Sequence, residues 1–373
     1  MENKLFSFKQ KSQDFIVEEE LPFQLSGKGD VFFVFFEKRN LNTMDIVNHI
    51  CATCNISRLT LGIAGLKDKK AITRQRICIY KSALKKLGGE KVFLETISQK
   101  AKVINVDWNN EPIGMTTPIK NIFHIRLRAN KNLSQQEKDL TKKKIISLCD
   151  KGFANFFGSQ RFGINGINPK QGKNILDGTL KLKDHKERMF KIQAYASKLY
   201  NEYVNSRTKK GLECLDGDII QIMNEKKITN KQLGIYKMEN DSVQIFENDL
   251  KDKDFFRYPK ILGKEIPFDD KKMMITGPVV GYNLILAPEG TEAGKREKSF
   301  LQGNGLSAKS LRLCMDYKIF GIRRPLRVFP EKVNVAYQKY DVLLKFGLPS
   351  GSYASILINE LWKTIGVDVD FEE

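Results

Sequence analysis

The chain has 373 residues, 41% of them hydrophobic, which is more than one core usually serves and points to two domains or a domain carrying a large insertion. Its 63 basic and 44 acidic residues leave a formal charge of +19, an excess that favours a polyanionic partner because neutralised phosphates release condensed counterions, and that a small-molecule enzyme would leave unexplained. No apolar run nears the 18 or so residues that span a bilayer, and the first residues lack the basic-then-apolar pattern of a secretory signal, so a cytoplasmic location is expected.

Near the start, Phe8-Lys9 and Asp14-Phe15-Ile16-Val17-Glu18-Glu19 read as extended backbone. Val31 to Phe36 is apolar without alternation, the mark of a strand covered on both faces. Asn42 caps a helix with Asp45 in its first turn, ending near Asn55. In that helix Cys51 and Cys54 form a CxxC, but they share a face with Ile46, Val47 and Ile50 and read as core thiols. The six cysteines are expected to be reduced, and the three scattered histidines give no metal-binding spacing.

Two apolar runs, Leu59 to Leu66 and Ile77 to Tyr80, read as buried strands joined by a loop opened by Gly62 and Gly65. In that loop Asp68 is the one acid among Lys67, Lys69, Lys70, Arg74 and Arg76, a setting that keeps a carboxylate ionised. The residue is either a reacting carboxylate or part of a solvated turn. A short helix after Ser82 and strands at Val103 to Val106 and Ile122 to Leu127 follow. Asn121 and Phe123 share a face of the last strand with Ile125 and Leu127, where Phe123 reads as core.

Ser134-Gln135-Gln136-Glu137 is a capping box for a helix reaching Lys151, closed by Gly152. Then comes Asn155-Phe156-Phe157-Gly158-Ser159-Gln160-Arg161-Phe162-Gly163, readable as an RNA-stacking loop or as a plug of core. Between Lys181 and Lys210 stand nine basic and three acidic residues. Met189, Ile192, Ala196, Leu199 and Tyr203 give this stretch helical spacing, so its basic face is a candidate RNA surface. Gly290 to Arg296 lacks the spacing and the hydroxyl of a phosphate loop. The chain closes with Arg323-Arg324-Pro325-Leu326-Arg327, a strand at Val342 to Phe346, and Leu348-Pro349-Ser350-Gly351-Ser352-Tyr353-Ala354. Ser352 is the expected cap of a last helix bearing Leu357, Leu361, Trp362 and Ile365.

The stretch Gly65-Leu66-Lys67-Asp68-Lys69-Lys70-Ala71-Ile72-Thr73-Arg74-Gln75 resembles the signature segment of the TruD family of tRNA pseudouridine synthases. Four further pieces match in family order: the opening with Lys9, Asn121-Ile122-Phe123, Asn155 to Gly163, and Leu348 to Ala354. Asp216-Gly217-Asp218 is similar to a turn of the family's insertion domain, whereas Lys226 to Asp254 shows no clear match. The resemblance implies an α+β (mixed α/β) pseudouridine synthase fold, with a mixed, largely antiparallel sheet flanked by helices. A catalytic domain would comprise 1–154 plus 326–373, with an inserted RNA-binding domain at 155–325 and the RNA in a cleft. It implies isomerisation of uridine 13 of tRNA without cofactor, with Asp68 acting as nucleophile or as a base at the ribose; no metal is expected. Lys9 would keep the carboxylate charged, Asn121 would support its loop, Phe123 would stack on the uracil, Tyr353 would lie close to it, and Gln160 and Arg161 would contact substrate. The partner implied is tRNA, not a membrane, and a monomer is expected. A non-catalytic RNA-binding or chaperone protein keeping the fold is the alternative, one that would not need Asp68.

Overall fold

A computed structural model of the chain describes residues 5–115, 117, 119–209, 211–222, 232–247, 256–257, 260–270, 272–306, 308–363 and 369–370. Two compact units emerge, Met1–Gly152 with Phe329–Glu373, and Phe153–Val328. The first begins with β1 (Phe6–Ser7), β2 (Phe15–Glu20), β3 (Val31–Arg39), α1 (Thr43–Cys54), β4 (Leu61–Ile63) and β5 (Ile72–Tyr80). It continues through α2 (Lys81–Lys86), α3 (Glu90–Ser98), β6 (Lys102–Asn109), β7 (Lys120–Ala129) and α4 (Gln135–Lys151).

The second unit holds β8 (Phe153–Ala154), α5 (Ile167–Leu176), α6 (His185–Thr208), β9 (Ile219–Ile222), β10 (Gln232–Lys237), β11 (Ser242–Glu247), β12 (Phe256–Arg257), β13 (Lys260–Pro267) and β14 (Met273–Val279). After β15 (Leu284–Ile285), α7 (Glu292–Gly303), α8 (Ala308–Asp316), β16 (Ile322–Pro325) and β17 (Arg327–Val328), the chain returns to the first unit with β18 (Glu331–Gln338), β19 (Asp341–Pro349), α9 (Ala354–Trp362) and β20 (Val369–Asp370).

The main sheet of the first unit runs β18-β19-β7-β2-β5-β3-β6. Along this path β2 and β5 are parallel and every other junction is antiparallel. Both ends of the chain share the sheet because β19 pairs with β7 from Val342 opposite Leu127 to Pro349 opposite Lys120. The uninterrupted apolar run of β3 is used on both faces, as its pattern predicts. Phe32, Val34 and Phe36 pack on Ile46, Val47 and Ile50 of α1 and Phe93 and Ile97 of α3, while Val31 and Phe33 face Cys78, Ile113 and Ile119. Burial of each such side chain stabilises the fold by about 1.5–3 kcal/mol. Cys51 and Cys54 are free thiols packed, half-buried, against the α1 core.

Several expectations need correction. Leu59 to Leu66 is not one buried strand. A 3-10 turn at Arg58–Thr60, started by Ser57, leaves Leu59 exposed, only Leu61–Ile63 pairs with β5, and Leu66 is exposed in the loop beyond. Conversely β5 starts at Ile72, so Arg74 and Arg76 belong to a strand and not to the Asp68 loop. The polar-apolar alternation there is two-faced, with Thr73 and Gln75 buried among Ile77 and Ile79. At α9 the capping position is Tyr353, not Ser352, whose N–H closes a turn onto the Pro349 carbonyl; Ile365 lies outside the described residues.

In the second unit β13-β11-β10-β9-β14-β16 form an antiparallel sheet. Helix α6 appears where helical spacing put it and buries Ile192, Ala196, Leu199 and Tyr203. Two of its bases turn inward, however: Lys191 is buried, and Arg207 ion-pairs with Asp218 at 2.7 Å with both side chains almost wholly buried. Gly217 precedes that acid at φ 85°, where a Cβ would lie 2.1 Å from Thr291 Oγ1. The Asp-Gly-Asp turn is thus an anchor for α6.

Removing one member of a buried ion pair strands the other charge, so Asp218→Ala is expected to destabilise the second unit by about 3–5 kcal/mol. Hydrogen exchange of the α6 amides measures it; protection equal to that of the parent chain would contradict the anchor.

Candidate active site

Parallel pairing of β2 with β5 places Ile16 opposite Ile72 and Val17 opposite Thr73, so the segments entering the two strands emerge at the same end of the sheet. Lys9 lies on one of these segments and Asp68 on the other. Gly65, at φ 150°, turns the chain out of β4 towards Asp68, a conformation that favours glycine. Lys9 itself sits at φ 57°, which costs a non-glycine residue about 1–3 kcal/mol. Its ammonium is 3.5 Å from Asp68 Oδ1 and 3.8 Å from the centroid of the Phe15 ring. The lysine side chain is 8% exposed and the aspartate 38%, so the carboxylate meets solvent on one side and a buried cation on the other. Burial pushes the Lys9 pKa down, and Asp68 pulls it back up.

Behind the loop the sheet face is polar. Lys38, 1% exposed, donates from Nζ to the carbonyls of Leu41 at 2.6 Å, Asp68 at 2.9 Å and Lys67 at 3.5 Å. Burial lowers its pKa to about 8 against the opposing pull of Asp68, with Lys67 lowering it further and Asp45 raising it. The Lys67 N–H donates to Thr43 Oγ1 at 2.9 Å, and Thr43 Oγ1 donates to Gln75 Oε1 at 2.8 Å. Lys67 Nζ turns inward to buried Glu19 at 3.6 Å; burial depresses the lysine pKa and raises that of the glutamate.

Three of the five local bases have other partners. Lys67 is committed to Glu19, Arg74 pairs with Glu37 at 2.9 Å and Glu18 at 3.0 Å, and Arg76 donates to the Glu19 carbonyl at 2.8 Å. The cation at the carboxylate is Lys9, and the one beneath its backbone is Lys38.

Phe123 lies on the same sheet face, opposite Val17 and Phe346. Its ring stacks on Phe346 at 5.4 Å and is 5.9 Å from Phe15, the ring under Lys9. It is only 5% exposed. Asn121, paired with Glu19 and Leu348, has its Oδ1 buried without a hydrogen bond, and none links it to the Asp68 loop. Tyr353 starts α9 beyond β19, where the Ser350 N–H donates to the Ile119 carbonyl. Contacts thus link Lys9, Asp68 and Phe123 through Phe15, while Asn121 and Tyr353 sit towards the Lys120 end of β7. Gln160 and Arg161 belong to the second unit. Gln160 is exposed on a 3-10 turn, and Arg161 donates to Gln193 at 3.0 Å and Ser197 at 3.3 Å of α6. In the same motif Phe156 and Phe157 join that unit's core, which favours the plug over a stacking loop.

Lys38, Glu19 and Thr43 escaped the sequence reading. For the first two a signal existed: each continues the inward register of its strand, Lys38 after Val34 and Phe36, and Glu19 after Phe15 and Val17. Among the described residues no group of three or more His, Cys, Asp or Glu could hold a metal ion.

Lys38 loses its proton at about 8 in the fold and at about 10.4 when unfolded. Between those values the unfolded chain binds the extra proton, so the contribution of Lys38 to stability rises with pH. The unfolding free energy of the parent chain is therefore expected to gain on that of Lys38→Met between pH 7 and 9.5. Comparing the two by denaturant titration cancels the buried thiols, which titrate in both; a pH-independent difference would refute this burial.

The family model described as tRNA pseudouridine synthase D (TruD) matches residues 5–183 and 170–361. Among curated relatives, the tRNA pseudouridine synthase D of Haemophilus influenzae (strain 86-028NP) is 26% identical, covering 95% of this chain and 92% of its own length. That of Wolinella succinogenes is 30% identical over 95% of this chain and 94% of its own. A crystal structure described as a TruD protein from Methanosarcina mazei superposes with a TM-score of 0.60 at 20% identity, over 97% of this chain and 93% of that one, a likeness of fold. With the family model spanning both units, the chain belongs to the TruD family of tRNA pseudouridine synthases.

Proposed function

We propose that the chain converts uridine to pseudouridine in tRNA, at position 13, with Asp68 as nucleophile and without a cofactor. The observation that carries this is the Lys9–Asp68 pair: a half-exposed carboxylate held beside a buried ammonium that rests on an aromatic ring. The reaction breaks the C1′–N1 bond, turns the base and makes a C1′–C5 bond. One proton leaves C5 and one arrives at N1, with no net oxidation, so the chemistry asks for a nucleophile and a surface to hold a detached uracil. A base inside a helix must first leave its stack. Lys9 offsets the negative charge of Asp68 and fixes its direction through an ion pair at 3.5 Å. Phe123 and Tyr353 flank the uracil, Asn121 offers its unpartnered Oδ1 nearby, and Gln160 and Arg161 contribute RNA contacts from the second unit. The net charge of +19 supports a tRNA substrate.

Asp68→Asn is expected to abolish pseudouridine formation at position 13 while changing tRNA affinity by less than about threefold, under 1 kcal/mol. Product mapping on tRNA and a filter-binding titration read the two quantities separately. Full turnover by this variant would end the assignment, and a protein that only binds RNA would show no product with either form.

A further inference from the structure

The loop carrying Asp68 is gripped from behind at consecutive peptide groups. Before the aspartate, the Lys67 N–H donates to Thr43 Oγ1 at 2.9 Å. At and after it, the Lys67 and Asp68 carbonyls accept from Lys38 Nζ at 3.5 and 2.9 Å. The third carbonyl on that ammonium is Leu41, in the turn leading to α1, at 2.6 Å. An ammonium has three N–H donors and no acceptor, so three converging carbonyls use it completely. Thr43 is tied in turn to Gln75 on β5, opposite Phe36 of β3, and Lys38 lies opposite Thr73 of β5. The sheet, through Lys38, and the first residue of α1, through Thr43, therefore hold the backbone on both sides of Asp68, leaving its side-chain torsions to be directed by Lys9.

A buried cation is a costly way to fill a slot. Apolar side chains of similar volume usually pack as well or better, and only the removal of a needed partner is penalised. Lys38, Thr43 and Gln75 are all at most 1% exposed, so none of them reaches substrate from where it stands. We propose that Lys38, assisted by Thr43, is a positioning residue that sets the Asp68 carboxylate by holding the carbonyls of Lys67 and Asp68 against the sheet. This inference rests on Asp68 being the reacting group.

Lys38→Met keeps the volume and removes the donors; Thr43→Val keeps the shape and removes the hydroxyl. Single-turnover rates on tRNA, counted per binding-competent molecule, are measured beside tRNA affinity and hydrogen exchange over residues 66–71. A displacement of about 1 Å at a reacting group costs about 100-fold, so Lys38→Met is expected to slow the chemical step about 10- to 100-fold and Thr43→Val somewhat less. Affinity stays within about threefold. Exchange rises over residues 66–71 but not in α9, and the double variant loses less than the product of the two single losses because both act on one loop.

Rates within twofold of the parent for both variants overturn the proposal, as does a rate loss matched by an equal loss of affinity. Should Lys38→Met not fold, Thr43→Val decides alone by the same criteria. Asp68→Asn run in parallel separates the two readings. If it remains active, the Asp68 assignment fails; if it is dead while Lys38→Met and Thr43→Val are fully active, only the positioning role fails.

Discussion

The one parallel junction on the path β18-β19-β7-β2-β5-β3-β6, β2 against β5, is the constraint that brings Lys9 and Asp68 together. In an antiparallel pair, the segments entering two strands leave at opposite ends of the sheet. Here they leave together, and so a lysine near the start of the chain meets an aspartate far along it at 3.5 Å. The pairing also fixes which side chains share a face. Lys38, Thr73, Val17, Phe123 and Phe346 stand in one cross-strand row, each opposite the next in register. The loop before β5 folds over this row, so its backbone can be held by Lys38 while its side chain is held by Lys9.

What lies under that loop is ionic where most sheet faces are apolar. Glu19, Lys38 and Lys67 are each less than a tenth exposed, and burial opposes the charge on all three. Desolvating several ions gains little stability even when they are paired. Their placement makes sense as geometry: Lys67 to Glu19 pins the residue before Asp68 to β2, and Lys38 pins the backbone at Asp68 to β3. The loop is thereby tied to β2 and β3, the strands on either side of β5 along the main path. The Lys38 tie has to be polar, because the groups it holds are backbone carbonyls that cannot be buried unpaired.

Strand β3 and helices α1, α4 and α6 were legible in sequence because each carries a clear period or cap: the Val31 to Phe36 run, the Ser134 and Asn42 caps, the spacing of Ile192 to Tyr203. The Asp68 neighbourhood was misread in a specific way. Five nearby bases looked like its charge environment, but alternation on β5 sends Arg74 and Arg76 to one face while Thr73 and Gln75 take the other. Linear proximity counted charges that the pleat then separated. Of the cations set against Asp68, Lys9 was expected from the family resemblance, whereas Lys38 comes from β3 and its contact is set by register, which composition does not encode. Helix α3 was missed because Val92, Phe93 and Leu94 stand in a row while its buried face is only Phe93, Thr96 and Ile97.

Phe123 lies deep in the sheet face, and its neighbours are other rings. With Phe346 stacked on it and 5% of its area exposed, it offers an incoming base little more than an edge. It does, however, buttress Phe15, whose ring carries the Lys9 ammonium at 3.8 Å. A cation over a ring face gains roughly 0.5–2 kcal/mol, and the gain falls away if the ring tilts. Truncating Phe123 would free Phe15 to move, shift Lys9, and so alter the direction of the Asp68 carboxylate without touching either residue. The aromatic row and the charged pair are thus joined by an unbroken run of contacts, Phe346 to Phe123 to Phe15 to Lys9 to Asp68.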